Sequence, residues 1–204
     1  MTSKTYEYEE RAFLDEAGFL RIKNKLDAES LKATVDNKIS YFYVLPDKNV
    51  SIATSPSKTV IKYKGGQLTN GNNGFEEREF AINPENLKEA LSFFTALFNL
   101  GPEKSEQFRI NYILPNSIEV ALKYTQTWGF HLEVEKLYSI NGGFDSEAEK
   151  IQAKNEVDNV GNLLEIRFIT DEEIRQFAND SKLGKVKGVY SADEFRQKYG
   201  KLFL

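Results

Sequence analysis

Tyr6-Glu7-Tyr8-Glu9-Glu10-Arg11 is the stretch on which the fold turns. Read as a β-strand, whose side chains alternate with period two, it sets Glu7, Glu9 and Arg11 on one face. Tyr6, Tyr8 and Glu10 take the other. Two carboxylates and a guanidinium make a poor face for an ordinary core. They suit solvent, as the wet side of a half-buried strand. They equally suit a divalent cation beside a phosphate, where hard oxygen ligands hold the metal and a base holds the anion.

A second acidic alternation lies far downstream. His131-Leu132-Glu133-Val134-Glu135-Lys136 again sets two glutamates on one face, with Leu132 and Val134 on the other. Between the two stretches, Lys62 and Lys64 share a strand face, as do Glu77 and Glu79, and Arg109 and Asn111. An isolated sheet would hide such residues on its wet side. A closed barrel would point them inward, so that acids from both ends of the chain and bases from its middle line one polar interior.

These residues resemble the CYTH domain family, also called the triphosphate tunnel metalloenzymes. Glu7-Tyr8-Glu9-Glu10-Arg11 is similar to the family's E-x-E-x-K signature, with arginine in place of lysine. Lys123 through Glu135 resembles the closing strand pair, in which Gly129 precedes the Glu133/Glu135 pair at the family's spacing and Lys123 stands where the family has aspartate. Tyr63-Lys64-Gly65-Gly66 and the Glu77/Glu79 strand resemble the Lys-Gly strand and the acidic strand after it. The family's L-R-x-R strand falls near residues 49–54, where this chain has no arginine. The likeness runs from about residue 5 to residue 140, in the family's order. It implies metal-dependent hydrolysis of a triphosphate-containing small molecule: tripolyphosphate, a nucleoside triphosphate or thiamine triphosphate. Glu7, Glu9, Glu133 and Glu135 would hold Mg2+ or Mn2+. Arg11, Lys62, Lys64, Arg78, Arg109 and Lys123 would cradle the phosphates, although alternation turns Arg78 away from Glu77 and Glu79. Glu9, Arg11 and Glu133 would be the catalytic residues. The same scaffold also serves adenylyl cyclases. The missing arginines and the unmatched tail keep open a non-catalytic binder of polyphosphate or nucleotides.

Composition narrows the chemistry. The chain has 204 residues, 40% of them hydrophobic and 28% charged, as expected of a soluble protein with a real core. A net charge of -4 argues against a general nucleic-acid surface. No stretch has the length of a membrane span and the start lacks a signal peptide's apolar centre, so the expected location is cytoplasmic. There is no cysteine and one histidine, which leaves carboxylates as metal ligands and favours hard cations over zinc. A homodimer is left open. His131 shares the face of Glu133 and Glu135; a general base and a simple hydrogen-bonded histidine fit that placement equally. Trp128, in a hairpin turn, is expected to cover the barrel end.

The periodicities predict an α+β fold: an antiparallel barrel of about eight strands with flanking helices over 1–140, and a helical C-terminal extension over 141–204 packed on it. Strands are expected from the first acidic stretch and over 38–44, 50–54, 58–64, 75–82, 107–114, 117–124 and 130–138, and helices over 15–25 and after the Asn83-Pro84 cap. Leu87, Leu91, Phe94 and Leu97/Phe98 form the second helix's apolar stripe, and Gly101-Pro102 ends it. Residues 65–74 read as an exposed hairpin tip. In the tail, 146–157 reads as helix and 163–169 as a strand or a buried connector. Thr170 to Glu173 and Ser191 to Glu194 are capping boxes. Arg21, Lys23 and Lys25 read as a solvated face.

Overall fold

The structure, a computed structural model, describes residues 4–29, 32–46, 48–65, 75–140, 146–182 and 189–203. Along the chain these form β1 (Lys4–Phe13), α1 (Glu16–Ala28), β2 (Ala33–Val35), β3 (Lys38–Val44), β4 (Lys48–Thr54), β5 (Thr59–Gly65), β6 (Phe75–Ile82), α2 (Leu87–Phe98), β7 (Glu103–Leu114), β8 (Ile118–Thr125), β9 (Gly129–Ile140), α3 (Ser146–Leu164), α4 (Asp171–Lys182) and α5 (Ala192–Tyr199). Of the expected hairpin tip at 65–74, Gly65 ends β5 and residues 66–74 lie outside the described residues, as do residues 141–145, where the expected C-terminal extension begins.

All pairings are antiparallel, in the order β3-β4-β5-β6-β1-β9-β8-β7. The first half of β7 then returns to β3, with Lys38 opposite Gln107 and Phe42 opposite Glu103, and the eight strands close on themselves. The short β2, which the sequence did not suggest, lies beside the second half of β7. The seam between β1 and β6 is brief: Tyr6 faces Glu76 and Glu7 faces Phe75.

The apolar core sits outside this barrel. β1, β9, β8 and β7 turn Tyr8, Ala12, Leu132, Val134, Val120, Leu122, Ile110 and Tyr112 outward. Phe19, Ile22 and Leu26 of α1, Val157, Val160 and Leu164 of α3, and Phe195 and Tyr199 of α5 cover them. Each wholly buried aliphatic or aromatic side chain contributes about 1.5–3 kcal/mol relative to exposure, so the helices hold the sheet through this layer. The aromatic end of the tail completes it, with the Phe195 ring stacked on Tyr124 at 3.8 Å between centroids.

Local signals behave as their chemistry requires. Asp15 caps α1 by accepting from the Gly18 amide at 2.7 Å. Thr170 and Glu173 form the reciprocal box that starts α4, and Ser191 and Glu194 the one that starts α5. α3 runs seven residues past the expected 157, to Leu164, and Glu165 stops it in the left-handed region at φ 55°. Residues 165–170 are then a connector rather than a strand, with Ile169 buried and Glu165, Arg167 and Thr170 exposed. The Ile166 amide donates to Gly161 at 3.0 Å and the Ile169 amide to Arg11 of β1 at 2.8 Å. The connector lies so close to α3 that a Cβ on Gly161 would fall 2.6 Å from the Phe168 ring.

Two expectations need correction. Arg21 and Lys25 do not simply face solvent. They donate to the Leu164 and Leu163 carbonyls at 3.2 and 2.6 Å, closing the C-terminal end of α3, where basic groups are favoured. Asn99, not Gly101, ends α2 by taking the left-handed conformation at φ 49°. α2 leans on Tyr43, whose hydroxyl donates to the Leu91 carbonyl at 2.9 Å and whose ring meets Phe94 and Phe98. Leu97 points away and is 60% exposed.

Candidate functional site

The strand register builds the interior row by row. Glu9 of β1 stands opposite Glu135 of β9, which stands opposite Glu119 of β8. In the next row Arg11 faces Glu133, and Glu133 faces Ala121. In the row after that, Phe13, His131, Lys123 and Arg109 follow one another across four strands. On the far wall Lys62 and Lys64 of β5 lie opposite Ser51 and Asn49 of β4. The charged face of Glu7 and Glu9 is therefore not a wet edge: the two residues are 3% and 1% exposed.

Like charges placed directly opposite across strands repel, so the acid row needs cations. The Lys64 ammonium donates to Glu7 at 3.0 Å and to Glu9 at 3.3 Å. Arg11 forms an ion pair with Glu9 and donates to Glu133 at 3.3 Å. Lys123 holds the other Glu133 oxygen. Arg109 donates to Asn111 and Glu119 and lies 3.9 Å from Glu135. Lys62 pairs with Glu79 at 2.9 Å.

Proton affinities follow this layout. Burial would raise the Glu9 pKa, but Arg11 and Lys64 outweigh it and hold the carboxyl well below the usual range. Glu135 goes the other way: burial, with Glu119 and Glu9 beside it, raises its pKa despite Arg109. Burial, with Arg109 and Lys38 nearby, pulls Lys123 below its ordinary value. Burial also lowers His131 to about 3, so its ring is neutral. Nδ1 lies 3.0 Å from the Gly129 carbonyl, which assigns the proton to Nδ1. Trp128 covers His131 and meets Phe13 and, from α4, Phe177, at ring separations of 5.6, 5.6 and 4.7 Å.

Of the expected metal ligands, Glu7, Glu9 and Glu135 each bring a carboxylate oxygen within 4.8 Å of the others. Glu133 is not in that cluster. It lies one row along, between Arg11 and Lys123. Arg11, Lys64, Arg109 and Lys123 line the same interior, and Lys62 faces it from β5. Arg78 does not: it stands opposite Tyr63, on the outer face of the sheet, and is exposed. Two interior residues were missed. Glu119 and Lys38 are isolated charges beside apolar neighbours, in Ile118-Glu119-Val120 and Lys38-Ile39-Ser40-Tyr41. That alternation was the available signal, but within its own strand neither residue has a second charge two positions away to repeat the pattern.

The donor set fits a hard divalent cation. Three carboxylates converge, and the buried Oε1 of Glu9 makes an ion pair but accepts no hydrogen bond.

No family model and no curated protein matches the chain. Solved structures do match it. The PH1012 protein from Pyrococcus horikoshii OT3 superposes with a TM-score of 0.61 at 21% identity, over 82% of this chain and 98% of that one. A conserved hypothetical protein from Pyrococcus furiosus gives 0.60 at 18%, over 79% and 91%. A putative adenylyl cyclase from Hippeastrum, HpAC1, described as having a dominant triphosphatase activity, gives 0.56 at 13%, over 80% and 89%. The fold is CYTH-like. At these identities the likeness concerns the fold, and the chemistry of the barrel's interior rests on its own side chains. Among the described residues, no helix is long and apolar enough to cross a membrane.

Proposed function

We propose that the tunnel hydrolyses a triphosphate-containing small molecule, such as tripolyphosphate, a nucleoside triphosphate or thiamine triphosphate, with Mg2+ or Mn2+ held by Glu7, Glu9 and Glu135. The observation that carries this reading is the convergence of those three carboxylates within 4.8 Å, inside a barrel that also presents Arg11, Lys64, Arg109 and Lys123. The bound metal would polarise phosphoryl oxygens and acidify a bound water.

The chain's own residues do the rest. Arg11, Lys62, Lys64, Arg109 and Lys123 bind and orient phosphate oxygens, exchanging internal carboxylate partners for the substrate. Arginine at 11 and 109 suits this role, since its planar fork matches phosphate oxygens. Glu133 positions Arg11 and Lys123 between the acid row and the bases. Trp128, Phe13 and Phe177 exclude water where β8 turns into β9. The Hippeastrum neighbour's description supports testing both hydrolysis and cyclisation.

A non-catalytic binder is the second reading. It is favoured by Ser51 and Ala53 on the face of β4 that continues the row of Lys62, and by Lys123 occupying Glu133. Phosphate release from tripolyphosphate, ATP and thiamine triphosphate, with Mg2+, Mn2+ or EDTA, separates the two. Release that requires metal and disappears in Glu9→Gln supports hydrolysis. Tight binding without release, with no cyclic AMP formed, supports the binder.

A further inference from the structure

We propose that Lys38 is an anion-binding residue of the tunnel, taking the place of the bases that the interior face of β4 lacks. This rests on the reading of the tunnel as a polyphosphate site, but it concerns a residue and a strand that reading does not use.

The placement is specific. Lys38 opens β3, opposite Gln107, which lies two residues before Arg109 on the same face of β7. Ser40, two residues on, is buried opposite Ala53 of β4. The ammonium is within electrostatic reach of Arg109 on β7, Lys62 on β5, Glu135 on β9 and its own neighbour Asp36, and Lys123 on β8 senses it in turn. Only a side chain pointing into the interior meets charges from all those strands. Its backbone is fixed from both sides. The Asp36 amide donates to the Arg109 carbonyl at 3.0 Å, Asn37 accepts from the Arg109 amide at 3.1 Å, and its side-chain amide donates to the Phe203 carbonyl at 3.3 Å.

What marks Lys38 out is its lack of a partner. Arg11, Lys62, Lys64, Arg109 and Lys123 each hold a carboxylate. Among the described residues, the Lys38 ammonium makes neither an ion pair nor a hydrogen bond. A largely enclosed cation beside two others is unfavourable unless something anionic joins them. Burial, with Arg109 and Lys62, accordingly lowers its pKa from 10.5 to about 7. A polyphosphate anion would complete the group and restore the proton. β4, which offers Asn49, Ser51 and Ala53 to the interior, has nothing of this kind to contribute.

The test is titration calorimetry of the full chain with inorganic tripolyphosphate in EDTA at pH 8, in two buffers of different ionisation enthalpy. Wild type, Lys38→Met and Lys38→Arg are compared. Lys38→Met is expected to bind about tenfold or more weakly, the loss typical of a charge-assisted contact, and to take up about one proton fewer than wild type. Lys38→Arg, always charged, is expected to keep most of the affinity while losing the proton uptake. Thermal melts of all three confirm folding, and the arginine variant keeps the test decisive if the methionine variant unfolds. Wild-type affinity and proton count in both variants would overturn the role of Lys38 alone. Absence of tripolyphosphate binding by wild type would overturn the polyphosphate reading together with this inference.

Discussion

β9 encloses both of its faces, for opposite reasons. Leu132 and Val134 are wholly buried against the layer that α1 and α3 complete. One residue away, His131 is also buried and Glu133 and Glu135 are at most half-exposed, yet they face charges from β1, β7 and β8. The outer face is held by apolar area removed from water, and its partners are interchangeable within limits of volume. The inner face is held by pairings in which each charge needs a particular opposite charge. Alternation of charged and apolar residues is usually taken to separate a wet side from a dry one. Here it separates a core from a site.

Substitutions on the two faces should therefore have different consequences. The largest effect expected is on the inner face. Glu9→Gln should lower metal-dependent phosphate release by at least about a hundredfold, the scale set by loss of one preorganised electrostatic group. Circular dichroism should still show a folded barrel, since Lys64 keeps Glu7 and Arg11 keeps Glu133 as partners. Next, Leu132→Ala on the outer face should cost about 2–5 kcal/mol in urea unfolding, while the turnover of the folded fraction is unchanged. If it lost turnover as completely as Glu9→Gln, the two faces would not be separable.

A smaller effect is expected where the tail meets the barrel. Gly161→Ala should destabilise by about 1–3 kcal/mol, because its Cβ would push Phe168 and the connector that bonds to Arg11. The smallest concerns Asp27, exposed near the end of α1. Burial would raise its pKa, but hydrogen bonds from Lys23 and Tyr112 outweigh it and hold the carboxyl below its ordinary 3.8. A depressed carboxylate stabilises the fold above its unfolded pKa, and that stability is lost as pH falls through the folded value. Wild type should thus lose stability below about pH 4 more steeply than Asp27→Asn, measured by thermal melts across pH 2–6.

Much of this architecture was legible because strand periodicity is local. Glu7, Glu9 and Arg11 announce their shared face within five residues, and so do Glu133 and Glu135. Which glutamates meet is a different matter. Glu135 joins Glu9 and Glu133 does not, because β1 and β9 pair with Glu9 opposite Glu135 and Arg11 opposite Glu133. That register is fixed by strands some 120 residues apart in sequence, and no local pattern contains it. Lys38 escaped notice because it is the single charge on its face of β3, and Glu119 because the next charge on its face of β8, Lys123, lies four positions on. Arg21 and Lys25 looked solvated because the carbonyls they cap belong to a helix far along the chain. Leu97 fits the helical stripe by spacing but faces outward; of the stripe, Leu91, Phe94 and Phe98 reach Tyr43 or its hydroxyl.

The central claim is that Glu7, Glu9 and Glu135, and not Glu133, form the cation site. Mn2+ binding to the full chain, followed by electron paramagnetic resonance in wild type, Glu135→Gln and Glu133→Gln, tests it most directly. The account predicts that Glu135→Gln loses bound Mn2+ while Glu133→Gln retains it. Retention in Glu135→Gln with loss in Glu133→Gln would contradict it.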